Sequence, residues 1–385
     1  MAITILVTDE DLNIVGDPLV DWYSLDCTVR FNEPASGTVE LPAYPDIMDQ
    51  LQPGNRIVII RDGSIFTAGP MEIPQDYAWG IGDDDNPDPG KVTVSFTDDL
   101  AVIAGYLTWP TPGSAWSAQP SATPRTITST NAETIIRTLI NENCGPGALT
   151  ARQIPNLVLG GIASVGTTTS VTTTFEALLD TCRRIAVDGG NIGFRTQQVD
   201  DTIEFQVYAS SDRTGSARFS KGLGNLRAIQ YKLSAPTVTS ALVAGGDEAS
   251  RTYVEVENSA AAAAWYRVEK FVEAADSADD SSGGLTQAGN AELAAGAAPI
   301  ELATVTVDTP DLQAGRDFGL GDKVTVALPT GVEVADIVRS IHLQATPKSG
   351  EYVTSLVGSP EATTDPVFVR LIQEFSRRLG RLEAK

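Results

Sequence analysis

Two short stretches carry residue types that chemistry needs. Gly319-Leu320-Gly321-Asp322-Lys323 has the glycines and the lysine of a phosphate-cradling loop, in which free backbone amides and an ammonium face the anion. Gly82-Asp83-Asp84-Asp85-Asn86-Pro87-Asp88-Pro89-Gly90 gathers hard oxygen donors of the kind calcium takes. The acidic run lacks the Gly at the sixth place and the Glu at the twelfth of the twelve-residue calcium loop, so Asp83 to Asp88 reads as a solvated hairpin loop.

Elsewhere the parts of a catalytic centre are sparse. His342 is the only histidine and alternates with apolar neighbours in Ser340-Ile341-His342-Leu343-Gln344, as a strand residue does. Without a second histidine, metal-dependent peptidases and most His-relay mechanisms lose their parts. Gly161-Ile162-Ala163-Ser164-Val165-Gly166 has one residue too many before the serine for a nucleophile elbow and no strand-to-helix context. Asp98, Asp99 and Glu204 could converge in space for glycoside hydrolysis, but nothing singles out a pair. Cys27, Cys144 and Cys182 lie far apart without metal-ligand spacing and read as buried free thiols. Trp22, Trp109, Trp116 and Trp265, if exposed, would offer faces for sugar stacking, although packing explains tryptophans more often. No catalytic, cofactor-binding or metal-binding residue is assigned, and no cofactor is expected.

The whole chain bounds what could hold these residues. At 385 residues, 42% hydrophobic and 20% charged, it suits two or three domains, each with a core. Its net charge of −23 repels nucleic-acid phosphate and anionic lipid. The N-terminus lacks a basic stretch before its apolar run, and no segment approaches the roughly 18 to 20 apolar residues of a membrane span. A soluble protein kept in a reducing compartment is expected, without stable membrane insertion.

The texture alternates. Residues 1–104 read as strands and turns, with Arg61-Asp62-Gly63-Ser64 a tight hairpin turn, because Asp-Gly supplies the positive φ it requires. Residues 105–125, rich in Pro, Ser and Thr, read as an extended connector. Residues 126–215 read as an inserted α/β domain. In it an N-cap Ser or Thr precedes Ile135, Ile136, Leu139 and Ile140, and a second helix places Phe175, Leu178, Leu179, Cys182 and Ile185 on one face. Residues 216–362 return to β texture, with one helix at "LTQAGNAELAAGAA". In 363–385, Phe368, Ile372, Phe375, Leu379 and Leu382 are spaced four, three, four and three, a heptad seam for self-association flanked by Arg370, Arg377, Arg378 and Arg381. The fold class expected is α+β, mainly β: two related β-barrel-like domains, an inserted α/β domain and a short C-terminal coiled-coil helix.

The chain also repeats itself. "LQPGNRIVIIRDGSIFTAGPMEI" from Leu51 and "FGLGDKVTVALPTGVEVADIVRSI" from Phe318 each place a Gly, an Asn or Asp and a basic residue before an alternating strand, a turn at Gly63 or Gly331, and a second strand. A phosphate loop requires a helix after the glycine, whereas here a strand comes next. The glycine-rich stretch is therefore a strand lead-in, present twice.

With "CTVRFNEPASGTVELPA" ahead of the first copy, "FEALLDTCRRIAVDGGNIGFRTQ" and "TIEFQVYAS" in the middle and "FGLGDKVTV" near the end, the chain resembles siphophage tail-tip hub proteins, which are similar to the hub of contractile-phage baseplates. The resemblance implies a structural virion protein of the tail tip, assembled in the host cytoplasm. It implies a homotrimer whose two β domains per subunit form a pseudo-sixfold ring joining the sixfold tail tube to threefold tip components. Its implied partners are the distal tail ring and tail tube proteins, the tape-measure protein and spike or receptor-binding tip proteins, with DNA only in transit during ejection. Many relatives continue into receptor-binding or wall-degrading regions. This sequence stops at Lys385, so neither activity is expected. A tail-associated cell-wall hydrolase, a carbohydrate- or receptor-binding tail protein and the hub of a contractile particle remain the alternatives.

Overall fold

The computed structural model describes residues 3–80, 89–120, 123–246, 251–273, 282–297 and 300–358. The Asp83 to Asp88 loop and the seam Phe368, Ile372, Phe375, Leu379 and Leu382 lie outside the described residues. Two compact units divide the chain, the first holding residues 1–228 and 304–358 and the second residues 229–303.

In the first unit, β1 (Ile3–Thr8), β2 (Ser24–Arg30), β3 (Glu33–Pro42), helix α1 (Pro45–Gln50), β4 (Arg56–Arg61), β5 (Ser64–Ala78), β6 (Lys91–Thr97) and helix α2 (Asp99–Ala104) come first. β4 is nearly all Ile, Val and Arg and is buried along most of its length because it is sandwiched between β1 and β5. It turns into β5 through Asp62 (φ 52) and Gly63 (φ 79), with Arg61 opposite Ser64. Two central residues at positive φ make the two-residue turn whose twist suits a hairpin.

Next come β7 (Arg125–Asn131), α3 (Ala132–Asn143), β8 (Leu157–Leu159), β9 (Thr168–Thr173), α4 (Leu178–Asp188), β10 (Gly193–Val199) and β11 (Thr202–Tyr208). Ile135, Ile136, Leu139 and Ile140 of α3 join Leu178, Leu179, Cys182 and Ile185 of α4 in one buried cluster, together with Phe194 and Phe205 of the β10–β11 hairpin. Each such side chain removed from water contributes roughly 1.5–3 kcal/mol, which is why these positions anchor the helices. Two local expectations change. Asn131, not a Ser or Thr, caps α3, its side chain accepting from the Glu133 and Thr134 amides. Phe175 is not on α4: it precedes the helix at φ 53 and stacks on Trp116 at 5.5 Å. Among the described residues of 105–125, the connector carries a 3-10 turn at Trp116–Ala118.

β12 (Arg218–Ser220) and β13 (Leu226–Leu233) lie beyond them. The second unit then holds β14 (Ser240–Gly245), β15 (Thr252–Glu257), α5 (Ser259–Ala264), β16 (Glu269–Glu273) and α6 (Ser282–Ala295). Its sheet runs β15-β14-β16, and Leu285 and Leu293 of α6 pack on Ala241 and Val243. Gly289 is tolerated inside α6 because a Cβ there would stand 2.5 Å from the Val256 side chain, so close packing outweighs its poor helix propensity. The chain comes back along β17 (Ile300–Val307) and ends, as described, in β18 (Lys323–Ala327), β19 (Glu333–Thr346) and β20 (Gly350–Gly358).

The large sheet explains the sequence repeat. Its path begins β1-β4-β5-β6-β3-β2, passes to β19 and continues β20-β17-β13, while β12 pairs β18 and β18 pairs β19. The second set, taken as β12-β18-β19-β20-β17-β13, takes the same route as the first. β3 and β2 are joined by Phe31 and Asn32 alone, whereas the corresponding strands β17 and β13 are joined through the second unit. One difference is a reversal: β1 lies antiparallel to β4, but β12 lies parallel to β18. The fold is mainly β with large antiparallel sheets, but the expected barrels do not form. Among the described residues the strands remain open, with ends at β1, β12 and β13.

Candidate assembly interface

The repeated lead-ins share a backbone hydrogen bond and a strand register. In the first, the Asn55 carbonyl accepts from the Met71 amide at 3.1 Å; in the second, the Asp322 carbonyl accepts from the Val338 amide at 2.9 Å. Arg56 then pairs with Pro70, and Lys323 with Ile337. Beyond that point each long strand meets its next neighbour with the same irregularity, between Met71 and Ile73 against β6 and between Val338 and Ser340 against β20. A bulge adds one residue to one strand, sharpens its twist and so re-aims the length of strand beyond it. The bulge recurs at matched positions, and β5 carries a second one, between Ile73 and Asp76, that β19 lacks.

The glycine-rich turn holds no anion cradle. The Gly321 amide donates to Val338, the Asp322 amide to the Gly319 carbonyl and the Lys323 amide to the Ser211 carbonyl, at 2.8, 3.2 and 2.9 Å. The Asp322 carboxylate accepts from the Gly319 and Ser211 amides, both at 2.9 Å. These donors are aimed inward, and an aspartate occupies the place a phosphate would need. Gly321 (φ +84) is glycine because a Cβ there would stand 2.3 Å from the Phe31 ring. Gly54 (φ +93) has open space around it.

Ion pairs tie the frame of the first unit. Arg56 and Asp99 are both buried and bond through two parallel contacts of 2.6 and 2.8 Å, the fork geometry that a guanidinium offers and an ammonium does not. Arg61, at the far end of β4, donates to Glu351 of β20 at 2.9 and 3.1 Å and to the Ala314 carbonyl at 2.9 Å. Its neighbour Asp308 is pushed up to about 6, foremost by burial, against the opposing pull of the Ala314 amide and Arg61. Where β2 meets β19, Asp26 accepts from Gln344 and bonds His342, both at 2.8 Å. Burial works against the Asp26 carboxylate, yet these bonds hold its pKa below the usual value.

Beside the glycine-rich turn is a cleft of about 900 Å³ lined by Arg61, Arg195, Arg213, Arg316 and Asp322. Its arginines are engaged within the fold: Arg195 with Gln206 and the Tyr208 ring, Arg213 with Asp322, and Arg316 with Asp317. The cleft is therefore a seam of ion pairs.

The remaining candidates fall apart as a catalytic site. Asp98 is pushed up to about 7, foremost by burial, but both oxygens of neighbouring Asp99 are taken by Arg56. Glu204 lies on β11 and accepts from Gln206. Ser164 sits at φ 59 in a loop whose Ala163 and Val165 amides are held by the buried carboxylate of Glu133. Cys27, Cys144 and Cys182 are buried and free, and burial raises all three thiols, Cys144 to about 12. Trp109 and Trp116 pack together at 5.9 Å with Arg152 over Trp109, leaving Trp116 two-thirds exposed. Trp22 lines a groove with Val20, Tyr23 and Tyr44, and Trp265 is partly exposed. Among the described residues, no three His, Cys, Asp or Glu side chains gather to hold a metal, and no helix is long and apolar enough to cross a membrane.

Tail proteins of bacteriophages share the fold that carries this twice-made strand path. The 43 kDa tail protein of prophage MuSo2 from Shewanella oneidensis aligns with a TM-score of 0.55 at 12% identity, covering 94% of this chain and 100% of that one. A tail protein from Neisseria meningitidis MC58 gives 0.54 at 12% identity over 94% and 97%. Prophage tail protein gp18 from Listeria monocytogenes EGD-e gives 0.52 at 11% identity over 98% and 99%. Residues 4–359 match the Siphovirus ReqiPepy6 Gp37-like protein family, and the chain belongs to that family. No curated protein matches the sequence.

Proposed function

We propose that the protein is the trimeric hub of the tail tip. Residues 1–104 and 216–362 of each copy supply the two β domains of a ring, and residues 126–215 form the inserted α/β domain. The observation that carries this reading is the repeated strand path with its matched lead-ins and bulges, because two similar halves in each of three copies present six similar faces. Such a ring joins a sixfold tail tube, through the distal tail ring, to threefold spike or receptor-binding components. It closes the tube around the end of the tape-measure protein until DNA is ejected. The net charge of −23 suits a lumen wall along which DNA slides without sticking. No catalytic step is assigned to it, and its contribution to host attachment is to hold other tip proteins.

The seam Phe368, Ile372, Phe375, Leu379 and Leu382 clamps the three copies together, since about two heptads need partners to be stable. Light scattering tests this on the full chain and on a version ending at Asp365. A trimer that weakens on truncation is the expected result. A full chain that stays monomeric at high concentration overturns the reading.

A further inference from the structure

One joint in the strand path is made once, although the parts for it are present twice. β2, the last strand of the first set, runs antiparallel along Ser340–Ala345 of β19, and the Phe31 amide extends that ladder to the Arg339 carbonyl at 2.8 Å. By the matched lead-ins and first bulges, Ile73–Ala78 of β5 corresponds to Ser340–Gln344, with one residue more between Ile73 and Asp76, and β13 corresponds to β2. Among the described residues, β13 has one ladder neighbour, β17, and β5 beyond Pro70 has one, β6. We propose that these two edges meet between copies, β13 of one chain lying along the outer flank of Ile73–Ala78 in the next. The occupant is a second copy of this chain.

The inference rests on the ring reading above and names the joint of that ring. The two edges are different surfaces, so the contact is head-to-tail, the kind that closes into a ring when its rotation allows. Three features of the edges fit. Among the described residues no strand lies along the outer flank of β5 beyond Pro70, where only the Gln75 side chain bonds the Met48 and Leu51 carbonyls, and Pro74, at a second bulge, has no amide hydrogen to leave unpaired there. From Glu72 onward β5 exposes most of its residues, with Ile73 and Tyr77 half exposed, apolar surface that a covering strand would remove from water. Charge is complementary: the β5 flank carries exposed Glu72 and Asp76, and β13 carries exposed Arg227. Because Pro74 cannot donate, the joint between copies has fewer backbone bonds than β2–β19. More of its free energy comes from Ile73, Tyr77 and half-exposed Leu233 of β13.

Cysteine pairs in the full-length protein test the joint. Gln75→Cys or Tyr77→Cys is combined in one chain with Arg227→Cys or Tyr231→Cys, the native cysteines being buried. Mild oxidation should give linked multimers on a denaturing gel for at least one pair and none for any single variant, since head-to-tail contact brings no cysteine against its own copy. Separately, Ile73→Lys with Tyr77→Lys should leave thermal unfolding of the chain unchanged and weaken self-association about 10- to 100-fold. A chain that assembles but links at no pair, with the lysine variant assembling like the parent, overturns the inference and leaves the ring reading standing. A chain that never assembles overturns both.

Discussion

The two lead-ins share a backbone and differ in what anchors them. At Arg56 the basic side chain is buried and clasped by Asp99, whereas at Lys323 the corresponding residue is exposed on β18. At Gly54 nothing crowds the turn, whereas Gly321 is pressed against Phe31. The shared bonds, Asn55 to Met71 and Asp322 to Val338, belong to the backbone and therefore persist although Met71 is matched by Val338 and Arg56 by Lys323. The lesson is that the repeat conserves the strand path while each half solves its own packing: the first with a buried ion pair, the second with a glycine under an aromatic ring.

The largest way to break this comparison is at the ion pair. Asp99→Ala leaves the Arg56 guanidinium buried without its partner and should cost about 3–5 kcal/mol, while Lys323→Ala should stay within about 0.5 kcal/mol. Urea unfolding of both variants checks the contrast, and equal losses would contradict it. Next come the glycines. Gly321→Ala combines a positive φ with a collision and should cost about 2–4 kcal/mol, against about 1 kcal/mol for Gly54→Ala, where only the backbone conformation is strained.

Protonation separates the halves in another way. Asp98 is pushed from 3.8 up to about 7 and Asp308 from 3.8 up to about 6, both foremost by burial. An acid with a raised folded-state pKa holds its proton more tightly folded than unfolded, so its contribution to stability falls as pH rises from about 4 and levels off above the folded value. Asp98→Asn should remove a decline that extends to about pH 7; in the parent, the share from Asp308 should be complete by about pH 6. Chemical unfolding of parent and variant between pH 4 and 8 reads the difference. Smallest of all, His342→Gln loosens a partly exposed contact to Asp26 and should change stability by less than about 1 kcal/mol.

Much of the frame was legible because backbone rules write directly into sequence. Asp62-Gly63 announced its turn, and alternation announced β10 and β11. The echo between Gly54-Asn55-Arg56 and Gly321-Asp322-Lys323 reported matched strand lead-ins. What stayed hidden depended on contacts between distant residues. The clasp of Arg56 by Asp99 has no local signal, and neither does Glu133 reaching the amides of Ala163 and Val165. The unit at 229–303 was masked because β14 to β16 carry the same alternating texture as the strands around them. The open path in place of barrels was equally invisible, since closure depends on which edges meet, and an alternating strand looks the same at an edge or in the middle. Phe175 was misplaced because its spacing fits the face of α4, while its amide bonds the Thr108 carbonyl of the connector and its ring meets Trp116.

The central claim is that two like halves in each chain build one ring. Electron-microscopic class averages of the purified full-length protein test it most directly. The account predicts closed particles of three copies showing six similar lobes around an open centre. Single copies, or closed particles whose lobe number is not twice the copy number, would contradict it.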